Sequence, residues 1–193
     1  MKTVIIDYGA GNVKSVIFAL KRIGVEAILS SQTEEIWNAD KVIFPGVGHA
    51  NAAMLKIKQA GLEKLIPDLK QPVLGVCLGM QLMCKFSEEG NTKGLGIFDL
   101  EVMKFSSENK IPQIGWNQIK ELKSPIMKGV KENEFMYFVH SYYVPLAEET
   151  IAKADYGLTY SAALQKNNFY GCQFHPEKSS EAGELILKNF IEL

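Results

Sequence analysis

The chain of 193 residues is 47% apolar and 22% charged, a globular composition with room for one full-sized core. Its 21 Lys and Arg nearly balance 22 Asp and Glu, so the net charge of -1 supplies no broad positive field for nucleic acid or an anionic membrane. Three cysteines exclude a disulfide-rich scaffold, and their odd number points to free thiols in a reducing compartment. The start, MKTVIIDYGAGN, lacks the long apolar run of a secretory signal, and no stretch approaches the roughly 20 apolar residues that span a bilayer. One soluble, cytoplasmic domain over 1–193 is expected.

Strand-like and helix-like segments alternate through the first half. TVIID (3–7) is an apolar run ending in an acid, and a Gly-rich turn follows. Val13, Val16, Ile17 and Leu20 then recur at helical spacing, with Gly24 where the helix stops. VEAIL (25–29) reads as a second strand and KVIF (41–44) as a third. PGVG (45–48) is too glycine-rich for either neighbour and reads as a turn, before helical stretches at 50–58 and 62–69 and the strand VLGV (73–76). This alternation of continuously apolar strands with helices predicts an α/β fold: an open, mostly parallel twisted sheet flanked by helices.

From about 94 to 176 the chain is mostly strand-like, which adds an antiparallel region in the second half. The candidate strands are GIFDLEVMKF, QIGWNQI and FMYFVHSYYV, with a hairpin of LTYSAALQ and FYGCQF around Asn167-Asn168. A final helix covers about 181–190, with Ala182, Leu185, Ile186 and Phe190 on one face and Ser180 as its cap. EEGNTKG (88–94) has few apolar anchors and reads as the most mobile segment.

VLGVCLGMQLMCKF (73–86) is the most informative stretch. An apolar strand ends at Cys77, glycines stand at 75 and 79, and a helix begins at once. Such a G-x-C-x-G elbow exposes a nucleophile at the carboxyl edge of a sheet, next to helix amides that favour a thiolate and a developing oxyanion. A lone cysteine in an apolar run is ordinarily core, and that reading suits Cys84, placed on the following helix, and Cys172, inside a strand. The elbow sets Cys77 apart from them.

A nucleophilic cysteine needs a base and a group to orient the base. QFHPEKS (173–179) offers His175 and, two residues on, Glu177, which reaches the far ring nitrogen if the turn folds back. His49 and His140 stay open as alternatives. The three histidines lack metal-ligand spacing, and no CxxC or HExxH occurs, so no metal is expected. PGVG follows a parallel strand and opens at the same edge as Cys77, where amides of Gly46, Val47 and Gly48 could join that of Leu78 around an oxyanion. Gly9 and Gly11 begin a dinucleotide fingerprint, but Lys14 occupies its third glycine position and no Walker A sequence exists, so no cofactor is expected.

PGVG, GVCLGMQ and FHPEKS, in this order, resemble the class I glutamine amidotransferases. The finer resemblance, along essentially the whole chain, is to glutaminase subunits of imidazole glycerol phosphate synthases, through DYGAGN (7–12), PGVGH (45–49), KGLG (93–96), GWN (115–117) and HSYY (140–143). Met80, where anthranilate and aminodeoxychorismate synthase subunits usually carry His, favours this subgroup. One departure is Gln113, at a position where the family commonly has His.

The resemblance implies a catalytic triad of Cys77, His175 and Glu177, an oxyanion hole at Gly48 and Leu78, and substrate contacts from Gln81, Ser141 and Tyr142. It implies a heterodimeric partner, a (β/α)8-barrel cyclase subunit that receives ammonia from L-glutamine, faced by Asn12, Trp116, Asn117 and Lys178. Two other readings are a glutaminase of another pathway, such as pyridoxal phosphate synthesis, and a non-catalytic subunit that stabilises a partner. GWN argues against the first and the intact triad against the second.

Overall fold

Three strands carry no polar alternation because both of their faces are covered. Every residue of β1 (Thr3–Ile6), β3 (Lys41–Gly46) and β4 (Val73–Cys77) is buried. The computed structural model describes residues 1–9, 12–106, 108 and 110–193. Gly11, weighed above as part of a dinucleotide fingerprint, lies outside the described residues, as does Ala10 of the DYGAGN stretch.

Around those strands the first half runs β1, α1 (Val13–Arg22), β2 (Ala27–Ser30), α2 (Thr33–Trp37), β3, α3 (Ala50–Gln59), α4 (Leu62–Asp68), β4 and α5 (Leu78–Met83). The second half adds β5 (Cys84–Ser87), β6 (Thr92–Lys93), β7 (Phe98–Lys104), β8 (Gln113–Ile119), β9 (Glu134–His140) and β10 (Tyr142–Tyr143). It closes with β11 (Thr150–Asp155), β12 (Thr159–Lys166), β13 (Phe169–Cys172), a 3-10 turn at Pro176–Lys178 and α6 (Ser180–Ile191).

The main sheet has the order β11-β12-β13-β4-β3-β1-β2. From β13 to β2 all pairings are parallel, and β12 and β11 add the antiparallel region. A four-stranded sheet β10-β7-β5-β6 and a two-stranded ribbon β8-β9 stand beside it. One face of the main sheet packs Ile5, Ile43 and Leu74 with Leu20 of α1 and Ile186 and Phe190 of α6. The other packs Val4, Val42 and Phe44 with Met54 and Ile57 of α3 and Ile66 of α4. Parallel crossovers bring the carboxyl ends of neighbouring strands side by side, the place where open α/β sheets bind ligands. Here β4 sits between β3 and β13, with Gly46 registered to Cys77 and Val76 to Cys172.

Several expectations need correction. Pro45 and Gly46 belong to β3 and are not part of a turn, because their ladder with β4 continues to Cys77. Cys84 opens β5 instead of riding on the helix; α5 stops at Met83, and Cys84 pairs with Phe98. The 88–94 segment is built, not loose: the Glu89 carboxylate accepts the Ala50 N–H at 2.8 Å, and Thr92–Lys93 pairs with β5. Ser180 does not cap α6. Ser179 precedes the helix and spends its hydroxyl on the His175 carbonyl, and the buried stripe of α6 is Gly183, Ile186, Leu187, Phe190 and Ile191, with Leu185 at its margin.

The tightest packing lies under the elbow. A β-carbon on Gly79 would stand 2.0 Å from the Phe44 carbonyl oxygen, and one on Gly46 would stand 2.4 Å from the Gly79 nitrogen. The first turn of α5 therefore rests directly on the backbone of β3. Gly79→Ala is expected to cost about 1–3 kcal/mol through overpacking, or about 2–12 °C in Tm for a chain of this size. Thermal unfolding followed by circular dichroism measures it, and a Tm equal to wild type would refute the close approach.

Candidate active site

Cys77 closes β4 with φ 54° and ψ -111°, a region that L-residues adopt only under strain. The strain is held by the ladder to Gly46 on one side and by Gly79 beneath Phe44 on the other. A sharp turn there lifts the thiol onto the wall of a cavity of about 300 Å³. Leu78 and Gln81 of α5 share this wall with Val47 and Gly48, which follow β3, and with Ser141 and Tyr142 after β9.

His175 reaches the same cavity from the β13 side. Its N–H donates to the Tyr137 carbonyl at 2.9 Å, which fastens the segment after β13 to β9. Pro176 then starts the 3-10 turn, and Glu177 folds back so that Oε1 lies 2.8 Å from Nδ1 of the imidazole. Burial disfavours the imidazolium, but hydrogen bonds to Cys77 and to Glu177 outweigh it and raise the His175 pKa to about 10. Glu177 Oε2 is buried with no hydrogen-bond partner among the described residues, so the imidazole is the main compensation for this carboxylate. Gly46 and Glu177 line a much smaller void just behind, which they share with Asn12, Val47 and His175.

A family model for glutamine amidotransferase class-I matches residues 4–193. The chain belongs to the class-I glutamine amidotransferases. It is 59% identical to the imidazole glycerol phosphate synthase subunit HisH of Bacteroides fragilis strain YCH46, with all of both chains covered. It is 46% identical to the HisH subunit of Haemophilus influenzae strain Rd, over 97% of this chain and 96% of that one. A solved glutamine amidotransferase superposes with a TM-score of 0.77 at 18% identity, covering 98% of this chain and 97% of that one. PurLQS from Thermotoga maritima gives 0.71 at 14%, covering 99% and 97%; these two matches establish the shared fold.

Within this amidotransferase the other histidines are accounted for. His49 is exposed and caps α3, its Nδ1 accepting the Asn51 N–H at 3.3 Å. His140 lines the cavity, but burial pushes its pKa down to about 4 although its ring is bonded to the Tyr142 carbonyl, so it stays neutral. Its Nδ1–H donates to that carbonyl at 2.7 Å, and Tyr160 lies 3.3 Å from Nε2. Gln113, the departure from the usual His, is buried here and accepts the Tyr160 hydroxyl at 3.0 Å.

Of the residues expected at a partner surface, Asn12 and Lys178 line the main cavity. Trp116 does not. It is half exposed on β8, its ring 5.9 Å edge-on from Tyr137, and Lys178 Nζ sits over the same Tyr137 ring, 5.8 Å from its centroid. Ile114 and Phe135 extend an exposed apolar patch around it. Asn117 alternates to the opposite face of β8, where its Nδ2 donates to the Asp155 carbonyl at 2.9 Å.

Sequence reasoning missed Glu89, Pro112 and Val139 on the cavity wall. Glu89 sat in a segment dismissed as loose, and its anchor, an amide of α3, is 39 residues away in sequence. Tyr8 was also missed. Its buried hydroxyl donates to the Pro45 carbonyl at 2.9 Å and holds the end of β3, and only its place in DYGAGN hinted at this. Among the described residues no cluster of His, Cys, Asp and Glu could hold a metal ion, and no helix is long and apolar enough to cross a membrane.

An imidazole whose pKa in the fold stands above its ordinary 6.5 stabilises the protein fully below that pH, and the contribution is lost as pH rises through about 10. Glu177→Gln removes one raising bond while the burial remains. The His175 titration midpoint, followed by NMR of the labelled imidazole, is expected to fall in the variant. The stability advantage of wild type over the variant is expected to shrink as pH approaches 10. A midpoint that does not move would show that Glu177 exerts no hold on the ring.

Proposed function

We propose that the chain is the glutaminase subunit of an imidazole glycerol phosphate synthase of histidine biosynthesis. It hydrolyses L-glutamine and passes the ammonia to a (β/α)8-barrel cyclase subunit in a cytoplasmic heterodimer, with residues 1–193 as one amidotransferase domain. The observation that carries the reading is the buried His175–Glu177 pair on the same cavity as the strained Cys77. Full-length identity of 59% to a HisH subunit supports the pathway.

The chemistry follows from these groups. The Cys77 thiolate attacks the side-chain carboxamide carbon of glutamine, and the carbonyl π electrons move onto oxygen. Backbone amides of Gly48 and Leu78, with Gly46 and Val47 shaping the strand end, receive this oxyanion. The His175 imidazolium, favoured by Glu177, gives its proton to the leaving nitrogen; the C–N bond breaks, and ammonia and a glutamyl thioester result. The neutral imidazole then takes a proton from water, hydroxide adds to the thioester, and collapse expels the Cys77 thiolate and leaves the γ-carboxylic acid, which gives its proton to solvent as glutamate. Glutamine and water have become glutamate and ammonia.

Substrate recognition needs a counter-charge for the α-ammonium group. Glu89 is the carboxylate on the wall of the main cavity, and Gln81, Ser141 and Tyr142 stand beside it. Released ammonia is protonated in bulk water, so an acceptor docked over the cavity preserves the nucleophile. The apolar patch of Ile114, Trp116 and Phe135, with Asn12 and Lys178 nearer the cavity, suits that docking; Asn117, bonded to Asp155, would act through the strand. The partner converts its bound sugar phosphate to imidazole glycerol phosphate and a carboxamide ribonucleotide.

Cys77→Ala is expected to lower glutamine-dependent synthesis by the complex about 10³-fold or more, while synthesis from added ammonium salts persists. Loss of both activities would overturn the division of labour. Trp116→Ala is expected to weaken the complex about tenfold or more while Cys77 stays open to alkylation in the free subunit. Titration calorimetry with the cyclase measures the affinity, and an unchanged Kd would remove Trp116 from the interface.

A further inference from the structure

Gln173 is fully buried, next to the motif residues Phe174 and His175, and the chemistry above does not use it. Its Nε2 lies 3.8 Å from Cys77 Sγ. An amide nitrogen and an amide oxygen are easily exchanged, so the polarity of this contact has to be derived from its neighbours. The derivation starts at the Tyr142 backbone carbonyl, which can only accept. Gln81 Nε2 donates to it at 3.0 Å, and this fixes which way the Gln81 amide points. The second hydrogen of the same nitrogen is directed at Gln173, at 2.8 Å, and requires an oxygen there. Gln173 must therefore present Oε1 to Gln81 and N–H to the sulfur.

We propose that Gln173 is a catalytic residue that donates a hydrogen bond to the Cys77 thiolate, with Gln81 as the positioning residue that sets its polarity. The inference rests on the reading of Cys77 as the nucleophile. The Val139 carbonyl, 3.7 Å away on another side, accepts from the protonated thiol. The sulfur thus has an acceptor that suits the thiol and a donor that suits the thiolate, and the buried amide favours the second state. Both hydrogens of Gln81 Nε2 are engaged within the protein, so only Oε1 of that side chain is left for a ligand. An acceptor there matches the α-ammonium group of glutamine.

Among the described residues the other ionisable groups around the sulfur are His175 with Glu177 behind it, His140, Tyr8, and Glu89, Tyr142 and Lys178 on the cavity wall. A substitution at Gln173 leaves all of them in place. Gln173→Glu keeps an acceptor for Gln81 and replaces the donor by an oxygen facing the sulfur. Gln173→Met removes the donor without adding charge.

The test is the pH dependence of Cys77 alkylation by iodoacetamide in the full-length subunit, with the modified peptide identified by mass spectrometry and Cys77→Ala as background. Cys84 and Cys172 are fully buried. Both variants are expected to raise the midpoint of the rate profile, the Glu variant by about one pH unit or more, so that on the acid side of both midpoints its rate falls about tenfold. A folded variant of either kind with the wild-type midpoint overturns the proposal, and the Met variant decides alone if the Glu variant does not fold. The assay needs neither glutamine nor the cyclase. Failure of the glutaminase reading would appear separately, as an unmodified wild-type complex that does not release glutamate.

Discussion

The site depends on one forced backbone conformation. Cys77 holds a positive φ because the chain must leave β4 and enter α5 within a single residue while α5 lies on the backbone of β3. Strain of this kind costs about 1–3 kcal/mol and persists only where the surroundings over-determine it. Here the ladder between Gly46 and Cys77 fixes one side, and the absence of a side chain at Gly79 admits the Phe44 carbonyl on the other. The segment proposed to receive the oxyanion is fixed by the same contact. Val47 and Gly48 follow directly from the residue paired with Cys77, so the proposed nucleophile and amide donors are registered by one ladder.

Burial supplies the second half of the design. Taken alone, an enclosed imidazole loses its proton, as His140 demonstrates a short distance away with a pKa pushed down to about 4. His175 occupies a similarly enclosed place and moves in the opposite direction, because Cys77 and a carboxylate with no other described partner face it. Two histidines on one cavity thus take opposite charge states from their neighbours. Of the two, His175 is the one that is protonated beside the Cys77 sulfur at neutral pH.

Much of this was legible in the sequence. The apolar runs at 3–7, 41–44 and 73–76 gave the parallel strands, since strands covered on both faces lose their polar alternation. The glycines around Cys77 and the two-residue step from His175 to Glu177 are local patterns, and local patterns survive in one dimension. Less legible were features set by distant partners. Pro45 and Gly46 looked like turn because propensity there opposes a strand, yet the ladder with β4 overrides it. Glu89 lay in a polar stretch whose order comes from an amide of α3. Ser180 has the chemistry of a cap, but the neighbouring Ser179 is bonded to the His175 carbonyl and the Tyr137 N–H, and the helix starts from a different geometry. Gln173 offered no signal, because its role is a polarity passed along three side-chain and backbone groups from separate elements.

Strand β9 ties the outer surface to the chemistry. The Tyr137 carbonyl anchors His175, its N–H is bonded to Ser179, and its ring packs against Trp116 and Lys178. Two residues on, the Val139 carbonyl touches Cys77 Sγ, and His140 then lines the cavity. Along one strand, the Tyr137 ring therefore addresses the exposed apolar ribbon while the Val139 backbone carbonyl addresses the Cys77 sulfur. A rigid displacement of β9 cannot alter one without the other, since the backbone groups that hold His175 and contact the thiol lie within three residues of the ring that packs on Trp116. A partner seated on the ribbon, as proposed above, therefore bears on the segment that holds His175, because Tyr137 contacts Trp116 through its ring and His175 through its carbonyl.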